Sequence, residues 1–195
     1  MRILITGSTG FVGRNLVPLL IHKFIVCEVT RDIKKSFNLF GSLTQKIDLS
    51  KNHNSFCKAV NKFNPEIVIH LASFITSDDS SKNFKNLIDS NLYFLLNLLD
   101  SVKSTKLKLF INTGTFAEFH NNDNIFSPAY LYAATKTASR SFLNYYSKTY
   151  SFKQITVTPY TIYGGNDSQK KIIDLIYDSL ESKTKIDIII RNACY

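Results

Sequence analysis

The amino terminus has the feature that most restricts the fold of this chain. An apolar run, Arg2-Ile3-Leu4-Ile5-Thr6, leads into Gly7-Ser8-Thr9-Gly10-Phe11-Val12-Gly13, and an apolar-periodic segment, 15–22, follows. A short continuous apolar run is typical of a strand buried on both faces of a parallel sheet. Gly7 would permit a tight turn, Gly10 a close approach of the backbone to a pyrophosphate, and Gly13 close helix–strand packing. Glycines also serve as plain turn-formers, but three at this spacing favour a dinucleotide-phosphate site.

Short apolar runs alternate with helical segments along the rest of the chain. This alternation predicts an α/β fold with a doubly wound parallel sheet, the NAD(P)-binding Rossmann fold. The later strands are predicted at 24–29, 43–49, 66–71, 107–113, 154–159 and 186–190. The later helices are predicted at 55–63, 81–102, 132–150 and 170–182, with loops at 119–127 and 163–167. We expect one NAD(P)-binding domain over residues 1–195.

Charge and cysteine content narrow the classes of partner. The formal charge is +9, from 24 Lys and Arg against 15 Asp and Glu, which raises nucleic acid or a membrane surface as partners. The lysines form short clusters near the ends of predicted helices, where the helix dipole and solvent favour cations, so we expect neither partner.

The chain opens as a strand and has no run of 18 apolar residues, so neither a signal peptide nor a membrane span is expected. Cys27, Cys57 and Cys194 have neither metal-ligand nor redox spacing, which predicts reduced thiols, no metal centre and a cytoplasmic protein.

Tyr132 and Lys136 are the candidates for chemistry. They are four residues apart in a predicted helix, so their side chains share one face. An ammonium one turn away favours the phenolate, and we expect it to lower the pKa of Tyr132 and make the phenol a usable acid or base. Taken alone, the pair is also compatible with an ordinary surface Tyr–Lys pair.

The end of the second strand selects the cofactor in this architecture. An acid there binds the ribose 2′-hydroxyl, whereas a nearby arginine accommodates a 2′-phosphate. Thr30 occupies the position of the acid and Arg31 follows it, which favours NADP(H) over NAD(H). Glu28 or Asp32 as the ribose ligand, with Arg31 as a surface residue, is the alternative.

Ligands in open α/β sheets bind at the carboxyl ends of the strands. Asp48 ends the third strand, where a side chain can contact adenine, and small residues at 71–73 leave space for a nicotinamide. His70 could be read as a metal ligand or an acid–base residue, but its position inside a predicted strand favours a buried, hydrogen-bonded histidine. Asn91, within a predicted helix, is either merely tolerated there or braces the active site through its amide. The hydroxyl of Thr113 is suited to hydrogen-bond a substrate carbonyl or alkoxide.

In this order, the glycine turn, Thr113 and Tyr132-x-x-x-Lys136 resemble the extended short-chain dehydrogenase/reductase superfamily, and more narrowly its NAD(P)-dependent epimerase/dehydratase family, which works on nucleotide sugars. The resemblance implies that Tyr132 transfers a proton, that Lys136 holds the nicotinamide ribose and tunes Tyr132, and that Thr113 is the hydroxyl partner. It also leaves open a homodimer through the two long helices that hold Asn91 and Tyr132. The cofactor contacts expected from these patterns and the resemblance are Gly7, Thr9, Gly10, Phe11, Val12, Gly13, Arg31, Asp48, Leu49, Leu71, Ala72, Ser73, Asn91, Tyr132, Lys136 and Pro159.

Three departures from the family pattern qualify the resemblance. Members that dehydrate the sugar have an Asp-Glu pair after the catalytic threonine, where this chain has Gly114 and Thr115, so the pattern is similar to that of 4-keto-sugar reductases of deoxyhexose synthesis. Thr158 stands where the family has an arginine. Relatives continue into a small C-terminal substrate portion, which we expect to be missing here. A cofactor-binding remnant or regulatory module without turnover is therefore the alternative to an enzyme.

Overall fold

Six parallel strands form the sheet of this protein, whose computed structural model describes residues 1–121, 125–164 and 172–182. The strands are β1 (Arg2–Thr6), β2 (Ile25–Thr30), β3 (Gln45–Asp48), β4 (Ile67–His70), β5 (Leu109–Thr113) and β6 (Lys153–Val157). They lie in the order β3-β2-β1-β4-β5-β6, and every neighbouring pair is parallel. This is the order of a doubly wound dinucleotide-binding sheet, so the predicted fold class is confirmed. The strand predicted at 186–190 lies outside the described residues.

The helices are α1 (Phe11–Leu20), α2 (Ile33–Phe40), α3 (His53–Phe63), α4 (Phe84–Ile88), α5 (Phe94–Val102), α6 (Leu131–Thr149) and α7 (Ile172–Ser182). α1 begins directly after Gly10, four residues before the predicted start at Asn15. The segment predicted as a helix over 81–102 is helical throughout, but its helical geometry changes along its length. A 3₁₀ turn, Ser81–Asn83, precedes α4, and a π-helical turn, Asp89–Tyr93, separates α4 from α5.

Hydrophobic side chains pack on both faces of the sheet. In β1, Leu4 faces a core shared with α3, α5 and α6, while Ile3 and Ile5 face a second core that includes Val17 of α1. All of these side chains are at most 2% exposed. Successive residues of a strand point to opposite faces, so a strand covered on both sides reads as a continuous apolar run. This explains why the amino-terminal run predicted a buried parallel strand.

The chain divides into two compact units, Met1–Tyr160 and Thr161–Tyr195. The first contains the whole sheet and α1–α6, and the second contains α7. The expectation of a single domain over the whole chain stays a prediction. Within the described ranges, no helix combines the length and the apolar character needed to cross a bilayer.

Candidate active site

The glycine turn between β1 and α1 has no room for side chains at two of its positions. Gly7 has φ of +72°, and a Cβ there would lie 2.6 Å from the backbone nitrogen of Ala72. A Cβ on Gly13 would lie 2.5 Å from the Cα of Ser8. Gly10 is the N-cap of α1 and gives no side-chain cap to the first helical N–H groups. Backbone donors at a helix start without a side-chain cap suit an anion, and the residues present therefore fit a dinucleotide pyrophosphate.

A cleft of about 480 Å³ opens beside this turn at the carboxyl edge of the sheet. Its lining includes six of the predicted cofactor contacts, namely Gly7, Thr9, Arg31, Leu49, Ala72 and Ser73. The hydroxyl of Ser8, which also lines the cleft, is buried and has no hydrogen-bond partner among the described residues. A buried polar group without a partner costs free energy, so this hydroxyl is suited to a ligand in the cleft.

Asn91 braces the cleft through its side-chain amide. The residue is 3% exposed and lies in the π-helical turn, and its oxygen accepts hydrogen bonds from the Ser73 hydroxyl (3.0 Å) and the Phe74 N–H (2.8 Å). Its NH₂ group donates to the Phe74 carbonyl and to the Thr135 hydroxyl, each at 3.0 Å. One amide thus ties the segment after β4 to α6. Asn91 lies in a π-helical turn, a local feature of helices that recurs at functional sites.

Tyr132 and Lys136 lie together in the first turns of α6. They are 6% and 4% exposed, so the alternative of an ordinary surface pair does not hold. The Lys136 Nζ lies 5.9 Å from the centroid of the Tyr132 ring, within cation–π range. None of the hydrogen bonds among the described residues involves this ammonium group. The N–H of Leu131 donates to the Asp79 carboxylate at 2.9 Å, which fixes the start of the helix.

The expectation that Lys136 lowers the pKa of Tyr132 is wrong for this structure. Burial raises the pKa of Tyr132 to about 12, with a partly opposing hydrogen bond from Ser73 and smaller contributions from Tyr130 and Glu118. Burial also lowers the pKa of Lys136 to about 8, against the attraction of Glu118. Loss of hydration disfavours the charged form of both groups and is the largest cause of each pKa shift. The phenol of Tyr132 therefore keeps its proton at neutral pH.

Thr113 ends β5 and is half-buried, and its hydroxyl donates to the backbone carbonyl of His70 at 2.9 Å. Its lone pairs can still accept a hydrogen bond, whereas donation to a substrate requires the hydroxyl to rotate. His70 is 2% exposed and its Nδ1 lies 2.8 Å from the Thr6 hydroxyl. Burial and the nearby Lys136 lower the pKa of His70 to about 3. The interpretation of His70 as a buried, hydrogen-bonded histidine is confirmed.

The end of β2 presents one cation to the cleft. Thr30 is 7% exposed and Arg31 is exposed, and both line the cleft. Glu28, an alternative ribose ligand, is fully buried and bonded to the Thr44 hydroxyl, so it cannot reach the cleft. The carboxylate of Asp32, the other alternative, caps α2 by accepting from the Lys35 N–H at 2.8 Å.

A charged network fills the space next to Gly114. Glu118 is fully buried and accepts from the Arg140 Nε at 2.6 Å and from the Thr115 N–H at 2.8 Å. A Cβ on Gly114 would lie 2.6 Å from Glu118 Oε1 and 2.8 Å from Arg140 Nη2. The same guanidinium donates to the Thr158 hydroxyl at 3.0 Å. Thr158, which stands where the family has an arginine, thus accepts a hydrogen bond from the guanidinium of Arg140 on α6.

The remaining predicted contacts do not line the cleft. Gly10, Phe11, Val12 and Gly13 form the start of α1 and the turn before it. Leu71 directly follows β4, and Pro159 follows β6 at the sheet edge. Asp48 ends β3, and its carboxylate accepts from both the N–H and the hydroxyl of Ser50, which lowers its pKa. Asp48 does not line the cleft, so the expectation that it contacts adenine stays a prediction.

Several residues of the site were missed by sequence reasoning. The further cleft-lining residues are Ser8, Val29, Thr30, Phe74, Asn86, Asp89, Ser90 and Phe94. Ser8 lies inside the glycine motif and could have been found from it. Glu118 and Arg140 give no local signal, because their pairing joins residues 22 positions apart in two different elements.

A doubly wound sheet, a glycine turn at its carboxyl edge and a buried Tyr–Lys pair on the helix after β5 define a Rossmann-type nucleotide-binding protein. Residues 3–192 match the NAD dependent epimerase/dehydratase family, and the chain belongs to this family.

Curated relatives cover almost the whole chain. It is 31% identical over 189 residues to CDP-abequose synthase of Yersinia pseudotuberculosis, which spans 96% of this chain and 65% of that protein. It is 24% identical over 208 residues to dTDP-4-dehydro-6-deoxyglucose reductase of Escherichia coli, covering 96% of this chain and 65% of that protein. The chain thus spans less than two thirds of the length of these relatives.

Solved structures show the same fold. UDP-glucose 4-epimerase of Thermotoga maritima, solved with UDP-glucose, superposes with a TM-score of 0.82 at 19% identity, covering 98% of this chain and 66% of that one. UDP-glucuronic acid 4-epimerase of Bacillus cereus, solved in complex with NAD, gives a TM-score of 0.77 at 24% identity, covering 93% and 63%.

Proposed function

We propose that this protein is an NAD(P)-dependent oxidoreductase or epimerase that transfers hydride at C4 of a nucleotide-linked keto-deoxyhexose. The main support for this proposal is the buried Tyr132–Lys136 pair on α6. The Asn91 amide joins this helix to the segment after β4. The names of the relatives, a CDP-abequose synthase and a dTDP-linked 4-keto-sugar reductase, support the substrate class.

The proton chemistry follows from the protonation states of the pair. With its pKa raised to about 12, Tyr132 holds its proton at neutral pH and donates it to the C4 oxygen as that oxygen becomes an alkoxide. The oxidation direction is the reverse transfer: the phenolate form of Tyr132, after its own proton has been lost, accepts the proton of the C4 hydroxyl. A nicotinamide, when bound, supplies or accepts the hydride. Thr113 is proposed as the hydroxyl partner that orients the substrate oxygen.

Lys136 acts through its charge and its donors. With a pKa of about 8 it is mostly protonated at neutral pH, and its buried ammonium favours negative charge that develops near the phenol. The free donors of the ammonium are suited to the ribose hydroxyls of the cofactor.

The network at Gly114 supports reduction or epimerisation rather than dehydration. A dehydratase would need an acid at position 114, but Glu118 and Arg140 occupy the space that such a side chain would enter. Glu118 itself is held by Arg140 and the Thr115 N–H, so its carboxylate oxygens are already used as acceptors. We therefore expect that Gly114→Asp creates no dehydration of a nucleotide-linked hexose.

Within this function we propose that the preferred cofactor is NADP(H). Arg31 is exposed in the cleft lining, whereas Glu28 is buried against Thr44 and Asp32, which caps α2, does not line the cleft. Fluorescence titration should give a Kd for NADPH roughly tenfold or more below that for NADH, since a charged hydrogen bond contributes about 1.5–3 kcal/mol. Arg31→Ser should abolish the difference, whereas Lys34→Ser, an exposed cation on α2, should retain it. Equal affinities in the unaltered protein would overturn the cofactor preference.

The role of Tyr132 is tested by Tyr132→Phe with CDP- and dTDP-linked 4-keto-6-deoxyhexoses. Loss of a positioned general acid should lower turnover by about 10²–10⁴ while NADPH binding stays within roughly twofold. Tyr145→Phe, at a 63% exposed position on the same helix, is the matched control and should keep full turnover. Unchanged turnover of Tyr132→Phe would refute the assignment.

A protein that binds NADPH but oxidises none with either keto-sugar nucleotide is the alternative function, a cofactor-binding module without turnover. The unaltered protein separates the two functions, because only the enzyme consumes NADPH in the presence of substrate.

We further propose a homodimer, and a cytoplasmic location on the basis of the reduced thiols. Phe84, Ile88 and Tyr93, along the segment from α4 to α5, are 48%, 49% and 60% exposed, and Tyr145 of α6 adds a fourth exposed apolar side chain. Sedimentation should therefore give twice the chain mass, and Ile88→Asp should shift the protein toward the monomer. A monomer at all concentrations tested would contradict the dimer.

A further inference from the structure

Three metal-ligating side chains lie together between α3 and α5, away from the residues of the candidate active site. His53 and Cys57 are four residues apart on α3, and Asp100 extends from α5. One ligand atom from each residue lies within 4.8 Å of the other two. The His53 ring is exposed, whereas Cys57 and Asp100 are half-buried.

The distances match those of donors around one tetrahedral ion. His53 Nε2 lies 3.1 Å from Asp100 Oδ2 and 3.4 Å from Cys57 Sγ. Tetrahedral zinc with usual bond lengths separates an N/O ligand pair by about 3.3 Å and an S/N pair by about 3.5 Å. Residues at i and i+4 of a helix place two such ligands on one face, as in helical zinc motifs.

We propose that His53, Cys57 and Asp100 form a binding site for a divalent metal of the zinc class. Imidazole, thiolate and carboxylate together favour Zn²⁺ or Co²⁺ over the oxygen-preferring Mg²⁺ and Ca²⁺. Three protein ligands leave a fourth position for water. Nothing in the proposed oxidoreductase function requires this site, so it is a second and independent feature.

The arrangement is unsuited to a nucleophilic triad, the other chemistry that Cys, His and Asp support. In a triad, the acid and the nucleophile bind opposite nitrogens of the imidazole. Here both Asp100 and Cys57 approach Nε2, since Cys57 Sγ lies farther from Nδ1, at 3.9 Å. Two ligands converging on one nitrogen atom place all three donors around a common point, as chelation requires.

Lys103 is the cation that faces this cluster. Its Nζ lies 2.5 Å from Asp100 Oδ1, whereas Oδ2 points to His53. The carboxylate can therefore keep its ion pair through one oxygen and offer the other to a metal. The ammonium also repels a bound dication, so its removal should strengthen metal binding.

A metal bound here would join α3 to α5 and stabilise the folded chain by mass action, because the unfolded chain does not hold the ligands together. We therefore expect the metal to stabilise the fold, with one of its coordination positions occupied by water.

The test is a Co²⁺ titration of the full chain, without an affinity tag, in a Cys194→Ser background. Co²⁺ should bind 1:1 with a thiolate-to-cobalt charge-transfer band, and Zn²⁺ should displace it. Cys57→Ser should abolish the band. His53→Ala and Asp100→Asn should each weaken Co²⁺ binding by more than about tenfold, since even the loss of an outer hydrogen-bond partner costs roughly 10–100-fold. His22→Ala, an exposed histidine on another segment, should change nothing.

Two further measurements keep the proposal falsifiable. Lys103→Met should tighten Co²⁺ binding by about two- to fivefold, the range expected for an exposed charge pair. Added Zn²⁺ should raise the Tm of the unaltered protein and leave that of Cys57→Ser unchanged. Absence of the band, or a band that survives both His53→Ala and Asp100→Asn, would overturn the site.

Discussion

The two walls of the cleft are built in different ways. The wall at the glycine turn consists of backbone contributed by a few consecutive residues, and its requirement is that side chains be absent at Gly7 and Gly13. A second wall, at Ser73 and Phe74, is held from behind by side chains on separate elements, because the buried Asn91 amide bonds to both residues and to the Thr135 hydroxyl of α6. The first wall depends on the absence of side chains, and the second depends on hydrogen-bond partners. Substitutions should therefore destabilise the first by steric overlap and the second by loss of hydrogen bonds.

The largest effect is expected at Gly13. In Gly13→Val, side-chain atoms would enter the Ser8 backbone, which lies 2.5 Å from even an ideal Cβ. Because backbone cannot move aside as a side-chain end can, we expect a loss of roughly 3 kcal/mol or more in the free energy of unfolding. Urea denaturation would measure it. Gly41→Val, at a site with nothing within 4 Å of a Cβ, controls for the residue type, although its φ of +54° adds some strain. Equal losses in both variants would argue against a steric cause at Gly13.

A smaller loss is expected on the side-chain wall. Asn91→Leu removes four hydrogen bonds and leaves the N–H and the carbonyl of Phe74 short of partners, whereas the Thr135 hydroxyl keeps its bond to the Tyr132 carbonyl. Each buried group left without a partner costs about 1–3 kcal/mol, partly offset by the apolar leucine, so we expect a net loss of roughly 2–3 kcal/mol. Asn97→Leu on α5 is the comparison, since no side-chain hydrogen bond of Asn97 stands among those of the described residues. If both variants unfold at the same urea concentration, the brace contributes nothing.

A gain in stability is expected at Lys136, where function and stability oppose each other. Lys136→Met removes a buried ammonium whose pKa is lowered from 10.5 to about 8 by burial. The unfolded chain keeps this proton up to about pH 10.4, so the destabilisation is complete below pH 8 and fades as the pH rises toward 10.5. The variant should therefore be more stable by roughly 1–3 kcal/mol at pH 7, with the difference shrinking between pH 8 and 10.5. Thermal unfolding across this range would check it, and a difference that does not vary with pH would contradict the buried charge.

The smallest effect on stability is expected at Ser8. Its hydroxyl is buried and has no partner among the described residues, so Ser8→Ala should change the free energy of unfolding by less than about 1 kcal/mol, in the stabilising direction. If the hydroxyl serves a bound nucleotide, the same variant should weaken NADPH binding by roughly threefold to tenfold. Calorimetric titration beside urea denaturation separates the two. A destabilised variant with unchanged NADPH affinity would show that the hydroxyl has a structural partner.

Features set by residues close in the chain, as in the glycine wall, were predicted from the sequence, whereas those set by distant contacts, as in the side-chain wall, were not. The glycine turn, the parallel strands and the Tyr–Lys spacing were predictable because each depends on residues close in the chain. The helix over 81–102 was predictable as well, but its π-helical turn at Asn91 was not, because hydrophobic periodicity does not reveal a local change of helix type. The pKa of Tyr132 was predicted in the wrong direction, since spacing shows the neighbouring ammonium but not the burial of both groups.

The sequence by itself determined the family, the alternation of strands and helices, and the glycine turn, because local sterics and apolar patterns depend on consecutive residues. Only the tertiary structure decided which polar groups lose water and which distant partners they meet. The Glu118–Arg140 pair beside Gly114 and the approach of Asp100 to His53 and Cys57 are of this kind. The strength of charges and hydrogen bonds depends on burial and on contacts across the fold, and neither quantity is encoded at any single position.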